Sequence, residues 1–137
     1  MSTVLASVMV SPGYHQIAVS DYESVDVPEW ESGDEPLVTS SSCFLIGTID
    51  DLDDDVKVEM RVGDVDVLHV RVIFEGVLDC ASGIVSATGP TDDHEETLLL
   101  PRRGAWSVRI AVRGQDSPDY VAVFFDQREW DAALHGS

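Results

Sequence analysis

The stretch Val56-Lys57-Val58-Glu59-Met60-Arg61-Val62 decides the fold class. Apolar and charged residues alternate over all seven positions, the period of a strand with one face in a core and the other in water. Three more segments repeat the pattern. Residues 67–75, VLHVRVIFE, set Leu68, Val70, Val72 and Phe74 on one face. Residues 105–114, AWSVRIAVRG, align Trp106, Val108, Ile110 and Val112 against Ser107, Arg109 and Arg113. Residues 120–126, YVAVFFD, align Val121, Val123 and Phe125.

Shorter apolar runs complete the set: TVLASVMV (3–10), HQIAVSD (15–21), LVTSSSCFLIGT (37–48), SGIVSAT (82–88) and ETLLLP (96–101). Between them stand turn-forming groups, among them Gly63-Asp64, Asp79 to Gly83, Gly89-Pro90, Arg102 to Gly104 and Gln115 to Pro118. About 8–9 short strands and no long helical pattern predict an all-β chain, an antiparallel β-sandwich or a partly closed barrel. Residues 1–137 are expected to form one such domain. The tail DQREWDAAL, 126–134, is the one helical stretch; Trp130 and Leu134 share a face there and predict a single docked turn.

Charge narrows the partners. Twenty-six acidic residues against 8 basic ones give a formal net charge of −18. Such a surface repels phosphate, so the expected partner is a basic protein, such as a nuclease or a toxin, with no direct nucleic-acid or membrane binding. The acids crowd the first half: residues 1–66 carry 15 of them against Lys57 and Arg61 alone. Two segments stand out. Residues 21–36, DYESVDVPEWESGDEP, form an acidic excursion in which Tyr22 and Trp30 are expected to pin the loop to the sandwich. Residues 50–55, DDLDDD, place five aspartates ahead of the alternating strand. The candidate partner-binding residues are Glu29, Trp30, Glu31, Asp34 and Glu35 in the first segment. In the second they are Asp50, Asp51, Asp53, Asp54 and Asp55. Salt adaptation is a competing account of the same acidity, with solubility as its only role.

The aspartate run does not make an EF-hand. Counting from Asp51, Asp53 and Asp55 fit the early ligand positions, but Val56 stands where glycine is required and Val62 where the distal glutamate belongs. A weak cation site on clustered carboxylates, or simply a solvated turn, are the remaining readings. Nor do the residues point to catalysis or a cofactor. His15, His69, His94 and His135 are scattered without ligand spacing, and no nucleophile elbow, phosphate loop or dinucleotide fingerprint occurs. Asp92 to Glu96 reads as a solvated loop. The arginines at 102, 103, 109 and 113 are expected to pair with carboxylates across the sheet. Cys43 and Cys80 sit among small and apolar residues, where buried free thiols are expected. The start, MSTVLASVMVSP, has no basic region or cleavage pattern, which predicts a cytoplasmic protein.

Four segments carry a resemblance: GYHQIAV (13–19), PEW (28–30), FLIGT (44–48) and LLLPRRGAWSVRIAVRG (98–114). In that order they resemble small bacterial β-rich proteins related to the competence protein ComJ, an inhibitor of a DNA-entry nuclease. The resemblance implies a protein-binding β-sandwich with no catalytic residues to carry over. Together with the acidic surface it makes an inhibitor of the immunity or antitoxin type the leading expectation, a monomer or, through an unpaired edge strand, a homodimer. A small-molecule or carbohydrate-binding sandwich is the alternative, with an apolar pocket expected at Tyr14, Tyr22 or Trp30. A cation-binding structural module is the other.

Overall fold

The structure is a computed structural model that describes residues 2–10, 16–24, 27–30, 36–48, 55–89, 95–114 and 118–135. Ten strands form two five-stranded sheets. The first contains β1 (Thr3–Val10), β5 (Val56–Val62), β10 (Tyr120–Phe125), β9 (Gly104–Arg113) and β6 (Arg71–Cys80), in that spatial order. The second contains β3 (Leu37–Thr39), β4 (Cys43–Gly47), β2 (Gln16–Asp21), β7 (Ile84–Thr88) and β8 (Glu95–Leu99). The arrangement is an all-β sandwich of two separate sheets, not a closed barrel. Pairing is antiparallel throughout, except that β10 lies parallel to β5.

The alternating strands bury the residues that their period selects. Val56, Val58, Met60 and Val62 of β5 enter the core, as do Trp106, Val108, Ile110 and Val112 of β9. Phe44 of β4 and Phe74 of β6 join the two sheets, their ring centroids 5.1 Å apart. At the other focus, Trp106 meets Phe125 edge-on at 5.9 Å and Trp130 at 5.5 Å. The indole N–H of Trp106 donates to the Arg102 carbonyl, so its polar edge is satisfied inside the apolar layer.

Three local readings change. The run LVTSSSCFLIGT is two strands, because Ser40 to Ser42 form a tight turn. There the Ser40 amide donates to the Cys43 carbonyl at 2.8 Å, and the Cys43 amide donates to Ser40 Oγ at 3.2 Å. The segment VLHVRVIFE does not alternate from Leu68. Leu68 is exposed, His69 takes a left-handed φ of 66°, and a bulge between Val72 and Phe74 shifts the face that follows. Val72 therefore points outward while Phe74 enters the core. The tail is a full helix, α1 (Gln127–Leu134), capped by Asp126, whose side chain accepts the Glu129 amide at 3.0 Å. Trp130 and Ala133 pack on the core, and Leu134 is exposed.

Residues 63–70 follow from the strand order. β6 lies three strand positions from β5, about 14 Å away at about 4.8 Å per strand. The connection must cross the outer face of the first sheet to reach it. In doing so it lays Val65, Val67 and Val70 on Ala111, Tyr120, Ala122 and Phe124, a second, smaller apolar cluster. Strand β10 is consequently buried on both faces along its whole length.

Trp106 is fully buried and touches both Phe125 and Trp130. Trp106→Ala should therefore cost about 3–5 kcal/mol, the range for truncating a large core aromatic. Leu134→Ala, at an exposed helix position, should stay within about 0.5 kcal/mol. Urea unfolding followed by circular dichroism checks both, and equal midpoints would contradict this packing.

Candidate interaction surface

The strand registers define two ends of the sandwich. One gathers the finish of β1 at Val10, the starts of β2, β5 and β10, and the ends of β4, β7 and β9. The opposite end gathers Val62, Phe125, Gly104, Cys80, Asp21 and Ile84. Four acidic segments are flanked by described residues at the first end: 29–36, 49–55, 89–96 and 114–119. These segments contain fifteen of the chain's 26 acidic residues and no lysine or arginine.

Of the candidate residues, Glu29 and Asp55 are exposed and lie in segments flanking this end. Trp30 is half-buried, and its indole N–H donates to Gln16 Oε1 at the start of β2. It thus fastens the excursion to the second sheet, as the sequence suggested. Tyr22 does not share that role, being 53% exposed. Glu31, Asp34, Glu35, Asp50, Asp51, Asp53 and Asp54 lie outside the described residues, as does Tyr14.

A buried polar network that the sequence did not single out stands on the outer face of the first sheet. Glu59 is nearly buried, and its Oε1 accepts from the Tyr120 hydroxyl and from Arg61 Nη1 at 3.0 Å. Arg61 Nε donates in turn to Ser2 Oγ at 2.9 Å, and the Ser2 amide and hydroxyl both donate to Asp66. The guanidinium of Arg113 stacks 4.7 Å over the Tyr120 ring and donates to the Leu68 carbonyl at 3.1 Å. Charge and hydrogen bonds thereby hold residues 63–70 where Val65, Val67 and Val70 seal the cluster. Burial opposes charge on Glu59, but the Tyr120 hydroxyl and Arg61 outweigh it and hold its carboxyl below the usual value. Burial, then the bond to Glu59, pushes the Tyr120 hydroxyl up to about 12. The signal lay in the strand pattern itself: Glu59 and Arg61, two residues apart, must share a face.

A second cluster sits at the opposite end. Asp21 is buried and accepts from the Ser82 hydroxyl and from Cys80 Sγ at 3.5 Å. Burial and then the Asp21 charge push the Cys80 thiol up to about 12. At neutral pH it is a thiol, not a nucleophilic thiolate. Both cysteines are buried and free. The Ser82 hydroxyl also donates to the Ile84 carbonyl and accepts the Ile84 amide, which ties the β6–β7 turn.

Among the described residues, only Arg109 of the four arginines pairs with a carboxylate across the sheet as the sequence suggested; Arg113 instead stacks on Tyr120 and bonds a backbone carbonyl. Arg109 Nε lies 3.2 Å from Glu75 on the facing residue of β6. Arg102 bonds Glu129 at 3.3 Å and lies 4.2 Å over the Trp106 ring. A cleft of about 350 Å³ opens where β9 and β10 meet α1, with Asp64, Glu75, Arg109 and Arg128 on its walls and Phe124 in its floor. It does not include Tyr22 or Trp30. Among the described residues, no three His, Cys, Asp or Glu side chains group as a metal site, and no helix is long and apolar enough to cross a membrane.

Two five-stranded sheets with one C-terminal helix give the chain the architecture of a small β-sandwich. The solved structure of ComJ from Bacillus subtilis, inhibitor of the DNA-degrading activity of NucA, shares it. The TM-score is 0.67 over 92% of this chain and 98% of that one, at 9% sequence identity. At that identity the likeness is one of fold. Neither a family model nor a curated protein matches the sequence.

The Glu59 network predicts a pH dependence with a defined sign. A carboxyl held low in the folded state stabilises it above the unfolded value, about 4.3, and loses that effect as pH falls through the lower folded value. Glu59→Gln should therefore destabilise the protein at pH 7. The gap from the unmodified chain should narrow steadily as pH drops below about 4. Denaturant midpoints measured from pH 7 to pH 3 test this; a constant gap would dissociate Glu59 from the network's charge.

Proposed function

We propose that this protein is a non-catalytic, inhibitor-type interaction protein of the immunity or antitoxin kind, acting in the cytoplasm as one domain. In this reading it docks a basic protein, such as a nuclease toxin, on its acidic end. The observation that carries the reading is the topology: four acidic connections, far apart in sequence, are flanked by strand ends at one end of the sandwich. Their like charges repel one another, so a basic partner that neutralises them relieves an existing cost. The fold shared with a nuclease inhibitor supports the same class of function. Residues Asp50, Asp51, Asp53, Asp54 and Asp55, with Glu29, Glu31, Asp34 and Glu35, supply the charge. Trp30, half-buried with its indole N–H donated to Gln16, is held in position to offer its remaining ring surface as an aromatic anchor beside them.

Steering by such a surface acts chiefly on the association rate, raising it by roughly 10- to 1,000-fold at low salt. The test uses the full chain and the product of the neighbouring gene, titrated calorimetrically at about 50 and about 300 mM salt. Binding should weaken with salt, and nuclease activity should fall on mixing. The triple reversal Asp51→Lys, Asp53→Lys, Asp55→Lys should weaken binding at least tenfold, while Arg103→Gln should not. Salt-independent affinity, or reversal without effect, would remove the acidic end from the interface.

A further inference from the structure

We propose that the outer edge of β6 pairs with a second copy of this chain, antiparallel about a two-fold axis at Gly76, joining two first sheets into one. The sandwich has four edge strands, β1 and β6 in the first sheet and β3 and β8 in the second. β3 is three residues long, and β8 carries Glu95 and Glu96. β1 lies against β8, so those two edges shelter one another. β6, ten residues long, is the edge that remains.

The free backbone groups of that edge can be located. The Asp79 amide donates away from β9, to the Ser41 carbonyl at 2.7 Å. Backbone direction alternates along a strand, so Glu75 and Val77 also turn their N–H and C=O groups outward. Neither has a backbone partner on that side among the described residues. The Val77 side chain is left 53% exposed beside them. Glu75, the one charge between Arg71 and Asp79, is paired with Arg109, and no lysine or proline guards the strand.

The strand matches itself in one register. With the axis at Gly76, Glu75 faces the second copy's Val77 and Val77 faces its Glu75, and each pair exchanges both N–H···O bonds. Moving the axis to Glu75 sets two carboxylates face to face. Moving it to Val77 sets Glu75 against Asp79 and claims the amide that Ser41 already holds. This self-match favours a second copy over an unrelated strand. Charge allows the approach on this flank: β6 and β9 together carry Arg71, Arg109 and Arg113 against Glu75 and Asp79, while the whole chain stands at −18. Ser41 closes the contact at one end and the bulge between Val72 and Phe74 at the other. So short a pairing fits a weak dimer, with a dissociation constant of about 0.1 mM.

Sedimentation equilibrium of the full chain at up to about 1 mM protein, in about 50 and about 500 mM salt, tests the proposal. The mass should rise from that of one chain toward that of two, and further at the higher salt, which screens the repulsion between acidic copies. Binding at the acidic end weakens with salt, so the two interfaces are told apart by sign and fail separately. Val77→Glu sets a carboxylate opposite the second copy's Glu75 and should weaken the dimer about tenfold, since the two-fold axis doubles every contact. Val77→Lys should not weaken it. Leu99→Glu and Leu99→Lys, at an exposed position of β8, should match each other. The Val77 amide should exchange with solvent more slowly as the dimer forms. A single-chain mass under all these conditions, equal affinity of the two Val77 variants, or a Val77 amide left unprotected in the dimer would each overturn it.

Discussion

Everything else in the sandwich is arranged around β10, a strand buried on both faces. Its inner side chains, Val121, Val123 and Phe125, belong to the main core, and its outer ones, Tyr120, Ala122 and Phe124, to the small cluster beneath residues 63–70. A strand so placed cannot solvate anything, so both its neighbours and its cover have to be supplied. β5 and β9 saturate its edges, and the crossing connection supplies the outer layer. The cover in turn needs fastening, and the polar chain from Tyr120 through Glu59, Arg61 and Ser2 to Asp66 provides it.

Charge is sorted by the same geometry. Glu59 enters a nearly buried site only because Tyr120 and Arg61 satisfy it there. Pairs such as Glu75 with Arg109 stay half in solvent, where their contribution is small, about 0–1 kcal/mol. The remaining carboxylates fall largely in connections, and the strand order groups the flanks of those connections at one end. The acids fall in loops by local sequence, and topology brings the flanks of those separate loops to one end of the molecule.

That division explains what could be read in advance. The period of two identified the inner faces of β5, β9 and the inward half of β10, because burial on one side is a local property of a strand. The free buried thiols and the sandwich class followed from equally local signals. What escaped depended on contacts between distant segments. The outer burial of Tyr120, Ala122 and Phe124 requires Val65, Val67 and Val70, fifty residues or more away. The single parallel pair cannot be inferred from either partner strand. At Leu68 to Phe74 the apolar spacing imitated one strand, while a left-handed His69 and a bulge broke it into a turn and two faces. Trp30 was legible as a loop-fastening residue, but its use of Gln16 was not. Most of the candidate aspartates and glutamates lie outside the described residues, so their reading still rests on composition and on where their flanks stand.

The parallel pairing of β5 with β10 has a consequence during synthesis. As the chain emerges, β5 can pair with β1 on one edge, but its other edge stays open until residues 120–125 have been made. For more than fifty residues of elongation, an apolar face of Val56, Val58, Met60 and Val62 adjoins an unsatisfied row of backbone donors and acceptors. That is a template for pairing between nascent chains. The aspartates at 50, 51, 53, 54 and 55 stand immediately before it in sequence. Like-charge repulsion between two such segments makes them gatekeepers against aggregation in the interval before β10 arrives.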